Sequence, residues 1–227
     1  INKYNNYFLK IISKENFIKE NENLKLENWL YKKNINVSFL EKNEKKILIN
    51  NKFVILISSF ITEYHYKYKN NKIKYSKLGE SVAKLHNSLR LYPKRKLYRT
   101  NTLKFNIKLK KKLVEIKKNL SSLNKKQKEI FKNETNLNLI FNNGQILHGD
   151  LNQDNVLFTK KGIHFIDFED SIRSFLNPIS EIVFIIERFT TFESEKKTFE
   201  ISKLFLKHYL KNIKFKVRKF NITDYLK

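Results

Sequence analysis

Residues 146–170 constrain what this chain can fold into more than any other stretch. Two short apolar runs, Val156-Leu157-Phe158 and Ile163 to Phe168, flank a turn that holds Gly162. Runs of this length, rich in β-branched and aromatic residues and joined through a glycine, read as a β-hairpin. The polar residues stand at its edges: Asp150, Asn155 and Asp167. A hairpin brings its ends together. Asn155, just before the first strand, is therefore expected beside Asp167, near the end of the second. An amide oxygen and a carboxylate so placed suit Mg²⁺, a hard ion usually held by one or two protein groups together with substrate phosphates. Asp150 lies five residues before Asn155, on the preceding loop. There a carboxylate can accept the proton of an attacking hydroxyl. A base beside a phosphate-neutralising ion is the equipment of phosphoryl transfer. The plain alternative is an ordinary hairpin whose Asn and Asp residues form turns and face water.

Taken together, His148-Gly149-Asp150, Asn155 and Ile166-Asp167-Phe168 resemble the catalytic core of the aminoglycoside phosphotransferase and choline kinase superfamily. The resemblance implies an α+β, protein-kinase-like fold of two lobes. Residues 1–60 would form a small antiparallel β lobe, N-terminally incomplete, and residues 61–227 a mainly helical C-lobe. It also implies Asp150 as catalytic base, Asn155 and Asp167 as magnesium ligands, and His148 as a structural residue of the catalytic loop. The Asp-x-x-x-x-Asn interval is that of protein-kinase catalytic loops. Gly149 and Phe168-Glu169 replace the His-Arg-Asp and Asp-Phe-Gly signatures of protein kinases, which favours a small-molecule kinase.

Ahead of this core, residues 7–12 read as a strand that carries Lys10, either an edge residue or a functional cation. In kinase-like folds such a lysine contacts the nucleotide phosphates. Residues 14–33 read as a helix with Ser13 as its cap. In the superfamily this helix presents a glutamate to the lysine. Glu22 is the expected partner, with Glu20 and Glu27 in competition. Residues 46–50 and 53–58 read as two strands around Asn50-Asn51. By resemblance the following segment, residues 58–62, is the hinge, and the backbone of Ser59 and Ile61 would bind the nucleotide base. No stretch before Lys10 resembles the superfamily's Gly-rich phosphate loop, and the chain starts without Met, so a fragment is expected.

Residues 77–91 read as a helix, and Leu78-Gly79 with Leu85-His86 resembles a Leu-Gly…Leu-His helix common in the superfamily. His86 is expected to be packed or hydrogen-bonded, not catalytic. Residues 92–102 read as a solvated basic loop. Residues 103–120 read as a lysine-rich helix burying Phe105, Ile107, Leu109, Leu113 and Ile116, and a further helix is expected over 122–132. Asn177-Pro178 breaks the chain ahead of a buried helix over 179–189, and a last amphipathic helix is expected over 193–210. Glu181 holds a place where the superfamily carries an Asp, which suggests a structural role. Glu169 and Asp170 read as local turn chemistry, although either could attract an amine-bearing acceptor.

Formal net charge is +25, which suggests a polyanion partner. The lysines are spread over the whole chain, however, and Lys, Asn, Ile, Phe and Tyr abound while Gly, Pro and Ala are scarce. AT-rich codon usage explains that pattern better than a nucleic-acid groove. There is no cysteine, hence no disulfide, thiolate nucleophile or cysteine metal site. No apolar run is long enough to span a bilayer and no secretory signal is visible, and a cytoplasmic location fits. The expected activity is transfer of the γ-phosphoryl group of ATP, with GTP as the alternative, to a hydroxyl of a small acceptor. Choline or ethanolamine, an aminoglycoside, and a sugar are the acceptor classes. The competing readings are a non-catalytic kinase-like binding protein and, further off, a basic nucleic-acid-binding protein.

Overall fold

The structure, a computed structural model, describes residues 7–38, 47–49, 52–59, 61, 71–118 and 144–215. Strand β1 (Tyr7–Ser13) leads directly into helix α1 (Lys14–Lys32), and the Ser13 hydroxyl accepts from the Asn16 N–H at the helix start. Strands β2 (Ile47–Ile49) and β3 (Phe53–Ser59) complete an antiparallel sheet in the order β1-β3-β2, with Lys10 opposite Leu56. One face of α1 is buried through Asn23, Leu26 and Leu30, a spacing that puts them on a single stripe.

Helices α2 (Asn71–Arg90), α3 (Arg95–Lys118), α4 (Pro178–Thr190) and α5 (Glu195–Asn212) make up most of the remainder. Between α3 and α4 lie β4 (Gln145–Ile146), the hairpin β5 (Val156–Thr159) and β6 (Gly162–Phe165), a 3₁₀ turn (Ser171–Arg173) and β7 (Phe175–Leu176), which pairs with β4. The core gathers Leu78, Val82, Leu85 and Leu89 of α2, Ile182, Ile185 and Ile186 of α4, and Phe205 and Tyr209 of α5. Gly79 lets α2 and α5 approach closely. A Cβ there would lie 2.4 Å from the Phe205 carbonyl oxygen and 3.0 Å from the Tyr209 nitrogen. Asn177 caps α4 with its side-chain oxygen on the Ile179 N–H, and Pro178 follows at the first helical position.

Four expectations change. Helix α2 begins at Asn71 and not at 77. The basic stretch expected as a loop turns helical at Arg95, because Tyr98 and Thr102, one helical turn apart, are buried there. Further along α3, Phe105, Ile107 and Leu109 are exposed and not core-facing. The second hairpin strand stops at Phe165, since Asp167 adopts a left-handed φ of 61° that leaves the pleat. The helix expected over 122–132 lies outside the described residues.

Candidate active site

The hairpin sets the spacing of the site. Val156 pairs with Phe165, and the Ile166 N–H donates to the Asn155 carbonyl at 3.1 Å, so Asp167 follows one residue past the partner of Asn155. A second tie holds the hairpin to α1: the Phe165 N–H donates to the Asn36 carbonyl at 2.9 Å, and Val37 bridges Phe165. The segment leaving α1 therefore lies along the hairpin.

Asp150 is fixed by amides. Its Oδ2 accepts from Asn155 Nδ2 at 3.0 Å and from Asn152 Nδ2 at 3.1 Å, and its carbonyl accepts from Asn155 Nδ2 at 2.8 Å. The Asn155 amide thus spends its N–H₂ on Asp150, which turns its own oxygen away as an available acceptor. Asn152 is a residue that sequence reasoning passed over. Its Oδ1 accepts the Asp154 and Asn155 N–H groups at 2.8 and 3.0 Å, an Asx turn that shapes the loop. The signal was present: an Asn two residues after an Asp, at the head of a tight turn.

His148 is buried and takes a neutral form. Its Nε2–H donates to the Ile166 carbonyl at 2.8 Å, and its Nδ1 faces the Asp150 N–H at 3.3 Å. Burial pushes the imidazole pKa down, against the pull of Glu181 and neighbouring groups. The ring also rests against Phe168, with centroids 4.3 Å apart. This is the structural role expected of His148.

The loop is braced from below by Glu181. Its Oε1 accepts the Gly149 N–H at 2.6 Å. Its Oε2 accepts the His148 N–H at 3.3 Å and lies 2.8 Å from His86 Nε2. His86 Nδ1 lies in turn 2.8 Å from the Tyr209 hydroxyl. Burial alone would raise the Glu181 carboxyl. The His86 hydrogen bond and charge, His148 and the Gly149 N–H outweigh it and hold the carboxyl below its ordinary range. Gly149 has φ 94°, and a Cβ there would lie 2.4 Å from Ser174 Oγ and 3.0 Å from the Asp170 carbonyl. An arginine at that position, as protein kinases have, does not fit this turn.

Lys10 projects from β1 into the same region. Its ammonium lies 2.9 Å from Glu20 Oε1 and also contacts Glu169, two residues past Asp167. Burial works against the charged form, but the hydrogen bonds Lys10 donates to Glu169 and Glu20 outweigh it and keep the lysine above its usual pKa. The helical glutamate is thus Glu20 and not Glu22. Residues two apart point about 200° apart around a helix, so only one of them can face β1. Glu22 lies on the other side, where it accepts from Lys25 at 2.5 Å and from Lys94 at 2.9 Å. Glu27, two turns beyond Glu20, is partly buried, and burial with the Glu20 and Asp167 charges pushes its carboxyl up to about 8, against Lys10.

Asp167 follows Ile166 at the mouth of the hairpin, and the Asn155 amide turns its Nδ2 toward Asp150. Two hard oxygens at the mouth of a hairpin fit a divalent ion such as Mg²⁺. No cluster of three His, Cys, Asp or Glu ligands occurs among the described residues, so such an ion would complete its shell from phosphates and water. Glu169 and Asp170 both face cations of the chain, Lys10 and Arg173 respectively. Ser59 ends β3 opposite Tyr7, and Ile61 is partly buried, while residues 60 and 62 lie outside the described residues. The hinge assignment therefore stands on chain order.

Residues 66–175 match the family described as the phosphotransferase enzyme family, a span that contains Asp150, Asn155 and Asp167 but not Lys10 or Glu20. No curated protein matches the sequence. Among solved structures, an aminoglycoside phosphotransferase from Streptomyces rimosus, in complex with ADP and streptomycin, is similar at 12% identity. The match covers 92% of this chain and 81% of that one, with a TM-score of 0.54. An aminoglycoside-3'-phosphotransferase of type VIII is 15% identical over 94% of this chain and 80% of its own, TM-score 0.51. The AMP-bound spectinomycin phosphotransferase is 17% identical over 95% and 72%, TM-score 0.50. At these identities the likeness is one of fold: a kinase-like α+β architecture.

Proposed function

From a chain that has the kinase-like fold of the aminoglycoside phosphotransferases and matches a phosphotransferase family over residues 66–175, we propose an ATP-dependent small-molecule kinase. The acceptor is a hydroxyl on choline or ethanolamine, an aminoglycoside, or a sugar, and GTP is the alternative donor. The observation that carries this reading is the shared turn of the hairpin. Its backbone sets Asp167 one residue past the partner of Asn155, and two amides hold Asp150 on the preceding loop, an arrangement that supports the reading.

Asp150 orients the acceptor hydroxyl and takes its proton as the oxygen bonds to the γ-phosphorus. The bond from that phosphorus to the β–γ bridging oxygen breaks, and the nucleoside diphosphate leaves with the electron pair. Asn155 and Asp167 would hold Mg²⁺, which neutralises phosphate charge. Lys10, set by Glu20, contacts the phosphates, and the backbone at Ser59 and Ile61 meets the base. Catalysis of this kind is positioning and electrostatics more than covalent chemistry. A cytoplasmic location, where nucleoside triphosphate and magnesium are supplied, belongs to the same proposal.

The test is ATP- and GTP-dependent phosphorylation across a panel of choline, ethanolamine, aminoglycosides and sugars, read by nucleoside diphosphate release and product mass. Turnover of one acceptor class with magnesium supports the reading. No turnover with any acceptor, together with no magnesium-dependent nucleotide binding, rejects it.

A further inference from the structure

Helix α3 carries an apolar stripe that faces away from the core. Leu103, Ile107 and Val114 are 50%, 58% and 54% exposed. Their spacing sets them within about 40° of one another around the helix. Leu103 follows the buried Tyr98, and Ile107 the buried Thr102, by five residues, a turn of about 140°. The inner side of α3 is tied to the segment that follows the catalytic hairpin. The Thr102 hydroxyl accepts the Phe175 N–H at 2.9 Å, and the Arg173 guanidinium lies over the Phe105 ring at 5.1 Å. Phe105 stands about half a turn of the helix from the stripe, so the stripe points away from that segment.

Positive charge borders the stripe. Helix α3 holds ten Lys or Arg residues in 24, against 47 in the 227 of the whole chain, and one acid, Glu115. Its basic density is thus about twice that of the chain, beyond what a general lysine bias gives. By helical angle Arg99 and Lys110 fall on one border of the stripe and Lys104 and Lys111 on the other, and all four are exposed. Apolar side chains between two basic rows suit a helix lying in the interface of an anionic membrane. The apolar groups enter the acyl boundary, and the ammonium groups reach the lipid phosphates on their flexible stems. A nucleic acid would use the charge and leave the stripe in water. No helix among the described residues is long and apolar enough to cross a bilayer, so the fit is to a surface and not to a span. We propose that the outer face of α3 docks the protein on a membrane surface rich in anionic phospholipid. Docking there leaves the segment at Arg173 and Phe175 uncovered. The proposal stands apart from the kinase reading and does not depend on it.

The experiment is co-sedimentation of the full chain with vesicles of phosphatidylcholine, alone or with about 30% phosphatidylserine, at about 0.1 M salt. Wild type is expected to sediment with the anionic vesicles and not with the neutral ones. K104Q/K110Q/K111Q should weaken binding about 100-fold, since each basic residue at an anionic surface is worth about fivefold. I107S/V114S keeps every charge and should weaken binding about tenfold by removing the apolar insertion. K196Q/K203Q/K207Q takes the same charge from exposed positions of α5 and should cost less than about fivefold, because charges away from the contact are screened. All these side chains are exposed, so the variants are expected to fold as wild type does. Wild type that ignores anionic vesicles overturns the proposal. So does an α5 variant that loses as much as the α3 variant, or an I107S/V114S protein that binds as wild type does. Tighter binding to duplex DNA than to the vesicles, unaffected by I107S/V114S, overturns it in favour of a nucleic-acid surface.

Discussion

Removal of the Glu181 carboxylate is the sharpest test of how the catalytic loop is held. Two oxygens serve three donors: the Gly149 N–H at 2.6 Å, the His148 N–H at 3.3 Å and His86 Nε2 at 2.8 Å. Glu181 is 4% exposed, and His86 and His148 are fully buried. Truncation in Glu181→Ala leaves those donors without an acceptor, and each buried donor left unsatisfied costs about 1–3 kcal/mol, about 3–5 kcal/mol together. For a chain of this length each kcal/mol moves Tm by about 2–4 °C, so a drop of roughly 10 °C is expected. Glu181→Gln should fall in between, since its oxygen can still take the Gly149 N–H while its N–H₂ forces His86 to change tautomer. The loss relative to wild type also depends on pH. The carboxyl is depressed below its reference of 4.5 in the folded state. Its contribution is therefore complete above that value and is lost as pH falls through the lower, folded value. Thermal unfolding followed by circular dichroism at neutral pH and at stepwise lower pH reads both effects. A Glu181→Ala protein that melts within about 2 °C of wild type at neutral pH would refute the brace.

Three further outcomes are expected. Gly79→Ala ought to gain about 1 kcal/mol from helix propensity alone, yet its Cβ meets main-chain atoms of α5 at 2.4 and 3.0 Å, so net destabilisation of about 1–3 kcal/mol is expected in denaturant titration. A stabilised variant would mean that α2 and α5 are not in contact there. Asp150→Asn should cut kcat by about 10²–10⁴ and leave nucleotide affinity unchanged, whereas Asp167→Asn should abolish the magnesium dependence of nucleotide binding. Initial rates and calorimetry separate the two, and equal effects on both readouts would contradict the division of roles. Glu27, with its carboxyl raised to about 8, keeps a proton in the folded state that the unfolded chain releases above its reference of 4.5. Stability then falls as pH rises between those values, so Glu27→Gln should raise Tm at pH 8 and leave it unchanged at or below pH 4.5. A uniform shift across pH would disprove the cause.

The parts of this protein that were legible in the sequence are those set by local spacing. A glycine turn between two short apolar runs brings Asn155 to Asp167 whatever the rest of the chain does, because strand pairing is a local geometric consequence of the turn. Ser13 and Asn177 likewise marked helix starts through hydrogen bonds to neighbours within three residues, and Pro178 through its fixed φ at the first helical position. Other features needed the assembled molecule. Helix periodicity favoured Glu22, with Glu20 and Glu27 in competition, and only the docking of α1 against β1 and the hairpin turned Glu20 to Lys10 and Glu22 to Lys94. The start of α3 at Arg95 was hidden for the same reason: its buried residues, Tyr98 and Thr102, are ordinary in a polar stretch until a neighbour covers them. Glu181, thirty-two positions from Gly149, and Glu169, more distant still from Lys10, gained their partners by long-range packing alone. Pair spacing along a chain encodes contacts within a turn or a hairpin. Which charge meets which across the molecule is fixed only when buried surfaces choose their register, since that choice minimises unpaired charge over the whole interior at once.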